Sequence, residues 1–171
     1  LGDVYKRQTA DTQRSGGDNG RQSEMNIIEL VKDILQQFPK ISEVCNDIHI
    51  DFTDDTPTNY GLSSTGDSLI SSDILGGQTR QHNFILYAVY QSMNDFDRMS
   101  NSGVLLELQM WLESYADKHR DTTFITITED EERTGVLEKL TCANGMIYAI
   151  PNENTNDTVQ YQLQIAAQYQ I

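Results

Sequence analysis

VQYQLQIAAQYQI, residues 159–171, constrains the chain more than any other stretch. Val159, Tyr161, Leu163, Ile165, Ala167, Tyr169 and Ile171 share one parity; Gln160, Gln162, Gln164, Gln168 and Gln170 share the other. Successive side chains leave a pleated backbone on opposite faces, so this period of two requires a strand whose odd face is core. The even face carries neutral amides where a solvated face ordinarily carries Lys and Glu. Glutamine both donates and accepts hydrogen bonds, adapts through its rotatable side chain and has no charge to desolvate, which suits a face that meets another protein surface. A solvated polar strand would show the same pattern, so two uses of this face stay open. A long terminal strand is also expected to leave an edge to which a neighbouring chain could add.

The net charge of −14 sharpens the point, because like-charged copies can approach only where charge is absent. It also argues against an ordinary nucleic-acid groove, which needs clustered Lys and Arg to displace phosphate counterions. The first 24 residues balance Lys6, Arg7, Arg14 and Arg21 against Asp3, Asp11, Asp18 and Glu24, so the acidic excess lies wholly in residues 25–171. Residues 1–24 lack apolar periodicity and are expected to be disordered. Their opening, LGDVYKRQ, looks like translated adapter sequence, which would place the biological start at Met25. The rest is long enough for one core and short for two, giving a single domain over 25–171. No stretch approaches the roughly 18 consecutive apolar residues of a membrane helix, and no export signal stands out. The chain is therefore expected to stay where it is made, with Cys45 and Cys142 reduced.

From Met25 onward the periods are legible. Asn26 with Glu29 forms a capping-box signature, and Ile27, Ile28, Val31, Ile34, Leu35 and Phe38 recur at helical spacing until Pro39. Ile48, Ile50 and Phe52 alternate as a short strand before the turn-rich DDTPTN. Two weak strands are expected at Asn59–Ser64 and Leu69–Ile74, then a stronger one in RQHNFILYAVYQS. That strand is apolar on both parities, which predicts cover on both sides. A second helix is expected from about Ser102 to Lys118, with Val104, Leu105, Leu108, Trp111, Leu112 and Tyr115 inward and Glu107, Glu113 and Asp117 outward. Phe124, Ile125 and Ile127 suggest a strand, EDEERTG a solvated turn, and Met146–Ile150 a partner for the closing strand across PNENTND. Strands interrupted by two helices indicate an α+β fold with a mainly antiparallel sheet.

The motifs of common enzyme chemistry are missing: there is no G-x-S-x-G, P-loop, H-E-x-x-H or C-x-x-C. His49, His82 and His119 are isolated in sequence, Asp51, Asp54 and Asp55 fail the calcium-loop spacing, and Glu129–Glu132 reads as a solvated acidic turn. Asn156-Asp157-Thr158 matches a glycosylation triplet that has no meaning without export. The sequence therefore points to no catalytic residue, cofactor or metal ligand, and to the five glutamines as the candidate subunit contact.

Five pieces in order carry a resemblance: GGQTRQHNFILYAVYQS, a short acidic turn, NSGVLLELQMWLE (with Asn101, Ser102, Gly103, Trp111, Leu112 and Glu113), NGMIYAI, and NDTVQYQLQI with Asp157, Tyr161 and Gln162. Together, from about Met25 to Ile171, they resemble small virion proteins of tailed bacteriophages, the minor capsid and tail terminator proteins. The Asp51–Thr65 and EDEE stretches depart from that pattern. The resemblance implies an α+β, non-enzymatic subunit of a hexameric ring at the head-proximal end of the tail tube. Such a ring halts tube growth and joins tail to head. Its partners would be its own copies, the tube protein and neck or head-completion proteins. Its place would be the virion, after assembly in the cytoplasm of an infected bacterium, with no membrane. An acidic lumen would let DNA slide through without sticking. Three rivals remain in view: a head-tail connector, neck or minor capsid component; an acidic module binding a host protein; and a hydrolase assembled from distant segments.

Overall fold

The structure, a computed structural model, describes residues 25–45, 47–51, 57–92, 95–128, 131–149 and 158–171. Residues 1–24, Phe52, the EDEE residues Glu129 and Asp130, and the PNENTND loop lie outside the described residues.

Helix α1 (Ile27–Gln36) begins as its sequence requires: the Asn26 carboxamide oxygen accepts from the backbone N–H of Ile28 and Glu29, at 2.9 and 3.0 Å. The Glu29 carboxylate accepts in return from the Asn26 N–H at 2.9 Å. Such a cap is worth about 1 kcal/mol. Pro39 ends α1 but also opens a four-residue helix, α2 (Pro39–Ser42), because proline at the first helical position has no N–H to leave unsatisfied. Helix α3 (Asp95–Lys118) starts a full turn and more before the expected Ser102. Its stripe is as read: Leu105, Leu108, Leu112 and Tyr115 are buried, Val104 and Trp111 pack at the margin, and Glu107, Glu113 and Asp117 are exposed. The Trp111 ring bridges Phe38 and Tyr115, with centroids 5.5 and 5.4 Å away.

The strands are β1 (His49–Ile50), β2 (Asn59–Ser72), β3 (Gln78–Gln91), β4 (Thr123–Thr128), β5 (Glu131–Ala149) and β6 (Thr158–Gln170). They form one sheet in the order β1-β2-β3-β6-β5-β4, mixed because β1 joins β2 in parallel while the other neighbours are antiparallel. With the helices this is an α+β architecture.

Three expectations change. The two weak strands are one, β2, whose alternation is broken by register shifts around Thr65 and Ile70, and Ile74 lies in the turn beyond it. The EDEERTG turn is largely strand, since β5 already begins at Glu131 and runs unbroken through Ala149, far upstream of Met146. The closing strand has no free edge: β6 is central, paired with β3 on one side and β5 on the other, so strand addition to it is ruled out. Alternation reports which face a residue takes and says nothing of which strands flank it.

One apolar cluster holds the fold. The inner row of β6 (Val159, Tyr161, Leu163, Ile165, Ala167, Tyr169) and that of β3 (Phe84, Leu86, Ala88, Tyr90) meet α1, α2 and α3 on the same side of the sheet. At one end, Tyr60, Tyr90 and Tyr161 form an edge-to-face chain with centroids 5.9 and 5.6 Å apart. Their hydroxyls find partners within reach: Tyr60 donates to Tyr90 at 3.0 Å and Tyr161 to the Arg98 carbonyl at 3.4 Å. Burial pushes the Tyr60 and Tyr90 phenols above their ordinary pKa.

Candidate functional site

With all helices on one side, the opposite face of the sheet is open over much of its length among the described residues, and it carries the five glutamines, of which Gln164 and Gln170 are exposed and the other three half-buried. Register places each in a row across three strands, and paired positions share a face. Gln160 lies between Val89 and Ala149, Gln162 between Tyr87 and Met146, and Gln164 between Ile85 and Ala143. Gln168 lies between Gln81 and Lys139, and Gln170 between Thr79 and Val136. The missing amide of the series, Ala166, sits between Asn83 and Thr141. On the far side of β3 the rows continue with Gly61, Ser63, Gly66, Ser68 and Ser71 of β2. Lys139 is the one charged residue among these paired positions, and Glu138 is exposed beside it at the register shift after Leu137, so charge on this four-strand face is confined to one adjoining pair of opposite sign.

The face is more apolar than its amides suggested. The cover predicted from the two apolar parities of β3 is present at one end, where Val89 is fully buried, and thins toward Tyr87 and Ile85, which are only partly buried. The Tyr87 ring meets Tyr148 edge-on at 5.3 Å, and Met146 and Tyr148 are about half exposed. Gln164 is held in place, its Oε1 accepting from Asn144 Nδ2 at 2.7 Å. Asn144 adopts φ +53 at the register shift between Ala143 and Met146, a conformation Asn tolerates better than most residues. The small side chains of Ala143 and Ala166 leave a concavity of about 380 Å³, walled by Asn83, Ile85, Thr141 and Gln164. Cys142 borders it with its thiol pushed up to about 12, chiefly by burial, so thiolate chemistry is suppressed. Cys45 and Cys142 are both free thiols.

A second polar cluster lies on the helix side, and nothing in the spacing of the sequence announced it. The shift at Thr65 puts Ser64 and Asp67 on the same face of β2, facing Phe84 and His82 of β3. Bulges often re-aim side chains in this way. Ser64 Oγ is 2.7 Å from His82 Nε2, and His82 Nδ1 is 3.4 Å from Asp67 Oδ2. That order resembles a hydrolase triad. Its surroundings speak against that use. Asp67 is already engaged by Arg80, whose Nε and Nη2 each lie 2.6 Å from Oδ1, and by the Tyr169 hydroxyl, which donates to Oδ2 at 2.6 Å. The adjoining cavity of about 540 Å³ is walled by Asp67, Arg80, His82, Arg133 and Tyr169, whereas Ser64 is not part of its wall. The cluster instead satisfies the polar groups at the mouth of the core. Burial is the main cause lowering the His82 pKa, with Asp67 opposing it, and burial then Asp67 pushes the Tyr169 phenol up to about 12.

His49, His82 and His119 do not converge, and no group of three His, Cys, Asp or Glu side chains suited to a metal occurs among the described residues. No helix among them is long and apolar enough to cross a membrane. No protein-family model matches the chain, and no curated protein matches its sequence.

Proposed function

We propose that this chain is a structural subunit of a tailed-bacteriophage particle, a tail terminator that assembles as a hexameric ring on the head-proximal end of the tail tube. In this role it has no catalytic residue and needs no cofactor. It stops tube growth and gives the neck or head-completion proteins a surface to join.

One observation carries the reading: a face four strands wide, nearly without charge, left open on one side of an acidic chain. An open sheet face ordinarily alternates into charged, solvated residues. Here the alternating positions hold amides, serines, small residues and two aromatic rings instead, and exposed apolar area beyond a few hundred Å² marks an interaction site. Copies that repel each other elsewhere can meet on such a face. The same acidity, arranged around a central channel, keeps DNA moving through rather than bound. A connector, neck or minor capsid subunit would use the same face in the same way. What separates it from a terminator is the partner, the tube protein in one case and the portal side in the other.

The test is sedimentation velocity of the full chain over a wide concentration range, followed by electron microscopy with tail tubes of the phage that encodes it. Closed rings that cap one end of the tubes are expected. A chain that stays monomeric at every concentration, or rings that ignore tube ends, overturns the assignment.

A further inference from the structure

Only eight Lys and Arg side chains follow Met25 in this acidic chain, and two of them, Arg80 and Arg133, wall the one cavity of about 540 Å³ beside the Ser64–His82–Asp67 cluster. The β4–β5 register puts Arg133 opposite Thr126 and on the same face of β5 as Gly135 and Leu137, the face turned toward the core. Arg80 reaches the same cavity from β3, where it lies beside Tyr169 of β6. Ile27, the first residue of α1, closes one side.

The hydrogen-bonding groups of the wall are out of balance. Its one carboxylate, Asp67, is neutralised by the Arg80 guanidinium and also accepts from the Tyr169 hydroxyl. The side-chain oxygen of Gln78 accepts from Arg80 Nη1 at 3.0 Å, and the Ile171 carbonyl accepts from the Gln78 N–H at 3.0 Å. These acceptors are taken, whereas the strongest donor is not. Arg133 is half-buried, and among the described residues its guanidinium makes no hydrogen bond or ion pair, although Glu131 and Glu132 precede it directly. A guanidinium stays charged and offers five N–H donors in a planar fork. Drawing such a group partly out of water without a partner costs free energy that a bound anion would return.

We propose that this cavity binds a small organic oxyanion, whose phosphate or carboxylate head is gripped by the Arg133 fork. Both heads match that fork with two parallel hydrogen bonds. The ligand is more than a bare ion, because about 540 Å³ falls within the roughly 300–1,000 Å³ of small-molecule sites and Ile27 and the Tyr169 ring give an uncharged body something to lie against. Asp67 does not repel the head, since Arg80 already balances it. The site stands apart from the ring assignment and does not depend on it.

Calorimetric titration of the full chain with phenyl phosphate, benzoate and benzamide tests this, since the three share a ring and differ in the head. One or both anions should bind saturably with a Kd of roughly millimolar order, and neutral benzamide should not. The tighter of the two anions identifies the head as phosphate or carboxylate. Arg133→Gln should weaken that anion about 10-fold or more, and Arg133→Lys, which keeps the charge and loses the fork, should weaken it by less. Neither change leaves a partner unpaired, so both variants should melt like the parent; if the glutamine variant does not fold, the lysine variant decides. Lys139→Gln, on the opposite face of the sheet, should bind like the parent. The site is overturned if neither anion binds, if benzamide binds as well as the anions, if Arg133→Gln loses no more affinity than Lys139→Gln, or if Arg133→Lys binds as tightly as the parent.

Discussion

Gly135 offers a prediction whose sign is set by the structure. As part of a solvated EDEERTG turn, Gly135→Ala would be harmless. In β5, Gly135 is buried and lies opposite Phe124 of β4, whose ring covers it. A Cβ at Gly135 would fall 2.3 Å from Phe124 Cζ and 2.6 and 2.7 Å from the two Cε atoms. Carbon atoms prefer about 3.5 to 4.0 Å, so more than an ångström must be found. The ring has nowhere to go: it is 1% exposed and stands edge-on to Tyr169 with centroids 4.9 Å apart. Overpacking of this kind costs about 1–3 kcal/mol, while relief of glycine's chain entropy returns about 0.5–1. The net expectation is a loss of about 1–2 kcal/mol, or a fall in Tm of about 2–8 °C. Urea unfolding at one fixed protein concentration measures it, since association would otherwise shift the midpoint. Phe124→Leu should make the alanine less costly in a double-mutant cycle. If Gly135→Ala is neutral or stabilising, the ring does not cover the glycine and the β4–β5 register is wrong.

Further outcomes follow from other parts of the molecule. Leu108→Ala should cost about 2–5 kcal/mol, since Leu108 is fully buried at the helix–sheet junction; a loss below about 0.5 kcal/mol would mean that the stripe of α3 is misplaced. Gln162→Glu with Gln164→Glu should weaken self-association more than folding, and sedimentation beside a melt separates the two; assembly like the parent's would make the amide face ordinary surface. The lowered pKa of His82 means that the unfolded chain binds the proton more tightly. Its contribution is therefore full above about 6.5, the unfolded value, and is lost as pH falls from there toward the folded value. His82→Gln should flatten that part of the stability–pH curve, and an unchanged slope would place its origin elsewhere. Iodoacetamide should label Cys142 far more slowly than a free thiol in a peptide, given a pKa of about 12; mass spectrometry reads the rate, and prompt labelling would show that the residue is not shielded.

Much of the fold was written in local period. The capping box of α1, the buried stripe of α3, the inner row of β3 and the whole of β6 follow from spacing alone, because each keeps one period for ten residues or more. What was lost was lost where the period slips. β5 shifts register after Leu137, Ala143 and Ile147, and each shift exchanges the two faces, so no run of alternation is long enough to notice. β2 shifts around Thr65 and Ile70 and reads as two fragments. The amides of the open face were legible, but the neighbours that make the face wide, sparsely charged and hollow were not, since strand order is a long-range property. The Ser64–Asp67–His82 cluster was hidden for the same reason as β2: two side chains three apart share a face of a strand only when an extra residue intervenes.

The central place of β6 also fixes when the molecule can exist. Ribosomes deliver β2, β3, β4 and β5 before β6, so until the last strand emerges the β2–β3 and β4–β5 pairs have no strand between them to join them into one sheet. Every β6 pairing with β3 spans a long stretch of chain, the kind of closure that makes folding slow. The face that the five glutamines share with their neighbours therefore comes into being only after synthesis has passed the middle strand.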